Sequence, residues 1–233
     1  MASPAPVTPP AAAPATRPAI NLTRVRAELN AAVICDVLDG IGLRNQALAH
    51  GIVPLQQEKV LAGFAFPVAI QRVYDVPEAP FGGLVAALDA IGPDEVFVTP
   101  TARATDIAVW GELLSTVSAK GGAAGALTDG LVRDTHQIRE LGFPVHSCGT
   151  IPYDSKGRHE IVAHRVACVI DGVRIDPGDL IFGDCDGVVV VPHAVVEQVV
   201  EGAFAKRTGE RQFLDAILEG STATAAYARF GVL

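Results

Sequence analysis

Arg133 and Asp134 stand side by side in GALTDGLVRD, where a run of small and apolar residues reaches a tight Asp-Gly before the charges. A fixed cation beside an anion, just past a strand that reads as buried, is a place where chemistry can gather. Arg133 offers a planar fork that matches a carboxylate or a developing enolate oxygen. Asp134 offers a hard oxygen ligand to a divalent cation. Twenty residues separate this pair from Glu112, which opens the helical stretch ELLSTVSAK. The first N–H groups of such a helix have no intrahelical partners and point out at the positive end of its dipole. A small carboxylate can dock there, on the amides of Leu113 and Leu114 beside Gly111. The same residues have ordinary structural uses: Asp134 as an N-cap, Arg133 as a surface residue, Glu112 as a complement to the helix dipole.

The functional use of all three is coherent. In open α/β sheets, sites gather beyond the carboxyl ends of strands, and Arg133 and Asp134 belong there. Magnesium keeps several waters and needs only one or two direct carboxylates, so Asp134 can hold it while Glu112 holds a water on it. The chemistry is then cleavage next to a 2-oxo acid. The cation binds the keto and carboxylate oxygens, Arg133 stabilises the enolate formed as the carbon–carbon bond breaks, and a water or carboxylate moves the proton.

The elements that must position these groups follow from the hydrophobic pattern. Residues 21–38 carry apolar positions at helical spacing and end at Asp39-Gly40. KVLAGFAFPVAIQRV (59–73) is β-rich with a proline, which predicts a strand that is bent or near an edge. A helix over 81–91, a strand over 94–100, the helix over 112–120, a buried strand over 123–128, a helix over 134–141 and a strand over 145–149 come next. From Glu160 on, EIVAHRVACVI, VRI, LIFGD and VVVVP are short strands separated by turns. A long amphipathic helix begins near His193, with a break expected at Thr208-Gly209. Alternating strands and helices followed by hairpins imply a single α/β domain with a mixed sheet or barrel-like core over residues 20–233, preceded by a flexible Ala/Pro-rich tail over 1–19.

Composition narrows the function classes. The chain has 233 residues, 49% hydrophobic, and a formal net charge of −8, with no Lys/Arg cluster to suit nucleic acid. No apolar run approaches the ~20 residues of a membrane-spanning helix. The tail has no basic start and is broken by prolines, unlike a signal peptide. The four cysteines, Cys35, Cys148, Cys168 and Cys185, are far apart and read as reduced, which points to the cytoplasm.

WGELLSTVSAKGGAAGALTDGLVRD, LGFPVHSCG and GVRIDPGDLIFGDCDGVVVVP together resemble the RraA-like family, which includes the metal-dependent 4-hydroxy-4-methyl-2-oxoglutarate aldolases. The resemblance covers nearly everything after the tail. It implies an α/β/β/α domain of the swivelling phosphohistidine type, assembled as homotrimers or homohexamers with active sites at subunit interfaces. It also implies roles: Asp134 binds Mg2+ or Mn2+ (or another divalent cation), Arg133 binds substrate, Glu112 holds a metal-bound water, and the amides of Leu113 and Leu114 take the pyruvyl carboxylate. A further acid comes from the neighbouring subunit's C-terminal segment, for which Glu210 is the nearest candidate. Two positions depart from the aldolase pattern, which has an acid where this chain has Gln137 and usually Asp where it has Glu112. Regulators of the RraA type, which bind an RNA-degrading enzyme, lack the Arg-Asp pair with its upstream acid.

Other chemistries fit less well. A Schiff-base aldolase needs a desolvated lysine, and Lys59, Lys120, Lys156 and Lys206 all lie outside apolar strands. GDCDG (183–187) has the look of a calcium-loop start, but VVVVP follows where an acid is required, so a hairpin turn is expected. His136 lies two residues beyond Asp134, within range of a substrate's far end or simply exposed. Trp110 is expected to pack under the loop before Gly111. The expected function is a divalent-metal lyase acting on a small 2-oxo acid through a pyruvate enolate, by retro-aldol cleavage or oxaloacetate decarboxylation. The competing class is a non-catalytic regulator that binds a protein partner.

Overall fold

The computed structural model describes residues 17–78 and 80–232, so most of the Ala/Pro-rich stretch lies outside them. In chain order the elements are α1 (Leu22–Glu28), α2 (Ala31–Gly40), β1 (Val53–Pro54), β2 (Leu61–Arg72), α3 (Gly82–Ala90), β3 (Glu95–Thr99), β4 (Ala108–Trp110), α4 (Glu112–Lys120), β5 (Gly125–Thr128) and β6 (Leu131–Val132). They continue with α5 (Thr135–Leu141), β7 (Val145–Ser147), β8 (His159–His164), β9 (Cys168–Ile170), β10 (Val173–Ile175), β11 (Leu180–Gly183), β12 (Val188–Val191), α6 (Val196–Leu218) and α7 (Ala223–Phe230).

The main sheet runs β1-β7-β5-β3-β2-β11-β12, with β8 also paired to β2. Its centre, β2-β3-β5-β7, is parallel, because helices or long crossovers carry the chain back each time. The hairpin β11–β12 adds to it antiparallel. The segment from Gln46 to Pro54 then joins the two edges. Leu48 N–H donates to the Val188 carbonyl at one end, and Val53 pairs with Ser147 at the other. The result is a mixed, nearly closed, barrel-like sheet.

Strand periodicity sorts the core into an inside and an outside. Val96, Val98, Ile181, Val188 and Val190 face the barrel interior, which the hairpin β9–β10 covers with Ile170, Val173 and Ile175. Their neighbours Leu180, Phe182, Val189 and Val191 face outward under α1, α2 and α6. Phe97, Ala126 and Val145 face outward on the other flank, with Ile138 of α5 and Ala87 of α3. Arg17 and Ala19, which composition groups with the tail, are held on the domain: Arg17 donates to the Pro93 carbonyl at 2.6 Å and Ala19 N–H to Glu197 at 2.7 Å.

Two expectations are corrected. The strand over 59–73 is central, not near an edge: β2 lies between β3 on one side and β11 and then β8 on the other. Pro67 is tolerated there because β2 changes partner at that point. Pairing with β11 ends at Phe64 and pairing with β8 begins at Val68, so the missing N–H falls in the gap. The expected bend is present, as a register shift between Ala69 and Ile70. The second correction is α6, which runs unbroken through Thr208-Gly209. A mid-helix glycine costs only about 1 kcal/mol, and here its bare face seats the chain end: a Cβ on Gly209 would lie 3.3 Å from Val232. No helix among the described residues is long and apolar enough to cross a membrane.

Candidate active site

β4 and β6 form a small parallel ribbon separate from the main sheet. β4 delivers Gly111 and the start of α4; β6 delivers Arg133, Asp134 and the start of α5. The Arg133 N–H donates to the Trp110 carbonyl at 2.9 Å, so the two chain segments are stitched at the point where their charged residues emerge. Behind the ribbon, Trp110 is buried against Phe97 and Phe143, and its indole N–H donates to Ser115 Oγ at 2.8 Å. Ser115 in turn donates to the Gly111 carbonyl, fixing the first turn of α4.

At the carboxyl ends of β3 and β5 a second anchor ties the same two segments. The buried Asp129 accepts from the Thr101 N–H at 2.5 Å, the Thr101 hydroxyl at 2.9 Å and the Arg103 N–H at 3.2 Å. Ala102 and Arg103 have φ of 52° and 57°, a left-handed pair that this carboxylate holds. Asp129 leads into β6 and the Thr101 loop into β4.

Asp134 occupies the N-cap position of α5 with φ 54°, a conformation aspartate tolerates better than most residues. Its side chain does not cap that helix. It turns across the ribbon instead, where Oδ2 accepts from the Glu112 N–H at 3.2 Å and lies 3.6 Å from Arg133 Nε. Arg133 also lies 3.6 Å from Asp154, an acid in the loop after β7. Gly111 makes this approach possible, since a Cβ there would sit 2.7 Å from the Asp134 carboxylate. Among the described residues, Asp134 Oδ1 accepts no hydrogen bond, and no acceptor meets the N–H groups of Leu113 or Leu114. A half-exposed carboxylate with one free oxygen, on an open cleft of about 370 Å3, fits a hard cation that takes one carboxylate and otherwise water.

Gly111, Leu113, Leu114, Arg133 and Asp134 therefore line one cleft, with Glu112 exposed at its rim. Glu210 of the same chain lines no part of it and pairs with Lys206 on α6 at 3.4 Å. His136 is exposed and faces Glu140 at 3.5 Å. GDCDG is a hairpin turn between β11 and β12. Sequence reasoning missed Asp154, which has no regular spacing to Arg133. It also missed the opposite wall, Phe81, Leu84, Val85 and Leu88. Their i, i+3, i+4, i+7 pattern signals a helix face but not what the face meets.

The family model of RraA-like proteins, described as Aldolase/RraA, matches residues 31–190. The chain belongs to the RraA-like family. Within it, the chain is 30% identical over 194 residues to a Halalkalibacterium halodurans protein named "Putative 4-hydroxy-4-methyl-2-oxoglutarate aldolase", covering 83% of this chain and 87% of that one. It is 31% identical over 202 residues to Protein DlpA of Legionella pneumophila subsp. pneumophila, covering 87% of this chain but only 32% of that longer protein. Among solved structures, Streptomyces coelicolor RraAS2, described as an unusual member of the RNase ES inhibitor RraA protein family, superposes with a TM-score of 0.73. It shares 29% identity, over 85% of this chain and 98% of that one. RraA-like relatives thus carry names from both an enzyme class and an inhibitor class.

Proposed function

We propose that this RraA-like chain is a divalent-metal-dependent lyase that breaks a carbon–carbon bond of a small 2-oxo acid and releases pyruvate. The observation that carries this reading is Asp134, which stands at an N-cap without capping and turns one carboxylate oxygen toward Arg133 and the start of α4. A Mg2+ or Mn2+ ion held by Asp134 would supply Lewis-acid polarisation of the substrate's oxygens. The rest falls to the chain's own side chains and amides. The free N–H groups of Leu113 and Leu114 bind the substrate carboxylate at the positive end of α4. Arg133 faces the oxygen that gains charge as the bond breaks. Glu112, exposed at the rim, holds a water and moves the proton. Retro-aldol cleavage and oxaloacetate decarboxylation leave the same enolate, so these groups serve both. We also propose that the chain acts as a homotrimer or homohexamer in which the neighbouring subunit's Glu210 completes the site; the exposed Leu214, Leu218 and Tyr227 near the end of the chain support burial of that region in an assembly.

The likeness to RraAS2 favours a second reading, a non-catalytic protein that binds a protein partner. Pyruvate release from oxaloacetate separates the two. The lyase shows turnover with Mg2+ that EDTA abolishes and that Arg133→Ala lowers by roughly 10²-fold or more. Absence of metal-dependent turnover on oxaloacetate and on 4-hydroxy-2-oxo acids supports the regulator.

A further inference from the structure

The cleft has two unlike ends. At one stand Arg133, Asp134 and Asp154, with the guanidinium 3.6 Å from each acid. The other is a wall made by Phe81, Leu84, Val85 and Leu88 of the α3 region together with Val109 and Leu113. Val85 is 54% exposed and Leu113 73%, so in the single chain this apolar surface lies open beside the charges. A smaller cavity shares Phe81, Leu84 and Val109 with the cleft and continues it to Ile161 and His159.

Two backbone features hold the wall in place. Phe81 has φ of 70°, a left-handed conformation that is a genuine outlier for a bulky side chain and that glycine would adopt freely. Strain of this kind persists where the side chain has a use. Two residues on, a Cβ on Gly83 would sit 1.8 Å from the Ile161 carbonyl oxygen, so the first turn of α3 rests directly on β8.

Charge then limits what can lie on this wall. Among the described residues lining the cleft and its continuation, Arg133 is the only arginine or lysine, and it already faces two carboxylates. Burial, and then the charge of Arg72, push the pKa of His159 in the continuation down, which favours its neutral form. A 2-oxo acid would occupy Arg133 and the α4 amides with its own carboxylate end. A second carboxylate lying along the apolar wall or in its continuation would meet Glu160 and no cation of this chain.

We infer that the substrate carries a single carboxylate and that its other end is an alkyl or aryl group lying against Phe81 and the α3 wall. This deepens the lyase reading and rests on it. For a 4-hydroxy-2-oxo acid of this class the C3–C4 bond breaks, the C4 hydroxyl gives up its proton, and C4 leaves as an aldehyde. The electron pair stays on C3, which takes a proton to give pyruvate.

Calorimetric titration with 2-oxo-4-phenylbutanoate and with 2-oxoglutarate, in Mg2+, tests the inference without turnover, since neither has a C4 hydroxyl to cleave. The phenyl compound should bind at least about ten-fold tighter, the gain expected from covering an aromatic ring. Phe81→Gly, which removes the ring and relieves the backbone, should lose most of that preference with no loss of thermal stability. Val85→Lys should raise 2-oxoglutarate affinity about ten-fold. Equal or tighter binding of 2-oxoglutarate to the unaltered protein, or binding of neither, overturns the inference. A parallel assay for pyruvate uses 4-hydroxy-2-oxo-4-phenylbutanoate and 4-hydroxy-4-methyl-2-oxoglutarate. Phenyl preference in binding with no pyruvate from either, nor from oxaloacetate, sinks the lyase reading and leaves the wall's assignment standing. A higher kcat/KM on the dicarboxylate upholds the lyase and sinks the inference.

Discussion

Two turns in this molecule look alike as sequence and behave differently as structure. VRD ends β6 and GDCDG ends β11, and each places an acid within two residues of a strand's end. In the second, Asp184, Cys185 and Asp186 bring their ligand atoms within 4.8 Å of one another. Yet both oxygens of Asp184 are occupied. Oδ2 accepts from the Ala31 N–H at 2.8 Å and caps α2, and Oδ1 accepts from the Asp186 N–H at 2.9 Å. Asp184 is buried, whereas Asp134 is half-exposed and keeps one oxygen without a protein donor. The lesson is that an acid's hydrogen bonds, more than its neighbours in sequence, decide whether it holds the fold or faces a ligand.

The contrast can be broken most directly by exchanging the two outcomes. Asp134→Ala is expected to reduce pyruvate release to background while the urea midpoint stays within experimental error, because its carboxylate carries little of the fold. The two turns would have to be regarded as equivalent if stability fell with activity.

The next effect is one of pH and comes from His146, buried on β7 with Nε2 3.3 Å from the Asp184 carbonyl oxygen and, among the described residues, no partner for Nδ1. Burial lowers its pKa from 6.5 to about 4. Between those values the unfolded chain takes up a proton that the native state refuses. Stability is therefore full above pH 6.5 and declines as pH falls toward 4, by about 3 kcal/mol in all. Urea unfolding at pH 7.5 and pH 5 measures the loss, and His146→Gln should flatten it.

Asp184→Ala should show the reverse of Asp134→Ala. It leaves the buried Ala31 N–H without an acceptor and removes the partner of the part-buried Asp186 N–H, for a loss of about 2 kcal/mol, while kcat/KM on oxaloacetate changes less than two- to three-fold. The smallest expected effect lies far from both turns. Gly209→Ala removes the entropic cost of a mid-helix glycine, worth about 1 kcal/mol at most. Part of that is offset by the 3.3 Å approach to Val232, a residue beside the chain end that can shift. A melting temperature below that of the unaltered protein would show that Val232 cannot move aside.

Much of this was legible in the sequence. The central strands and the helices between them announce themselves by apolar runs and helical spacing, and β3, β5 and β7 lie within the expected ranges. The charged pair and the start of α4 were legible because strand ends and helix starts are where free donors and acceptors must appear. What was hidden is non-local. β4 and β6 have three and two residues, too short for any period, and exist only by pairing with each other. Pro67 reads as an edge signal because the exchange of partners beside β2 is not written in β2 itself. Gly209 reads as a break because Val232, which uses its missing side chain, lies 23 residues away. Asp154 and the α3 wall reach the cleft through the path of the chain, without any spacing to Arg133.

The reactive groups and the apolar wall ride on different supports. The charges emerge from the short ribbon of β4 and β6, locked from behind by Trp110, while the wall belongs to a helix seated on β8 through one absent methyl at Gly83. Selection could therefore refashion the pocket's selectivity, by sliding or resurfacing that helix, and never disturb the machinery that breaks the bond. Divergence among kindred proteins should accumulate along α3 sooner than along the ribbon.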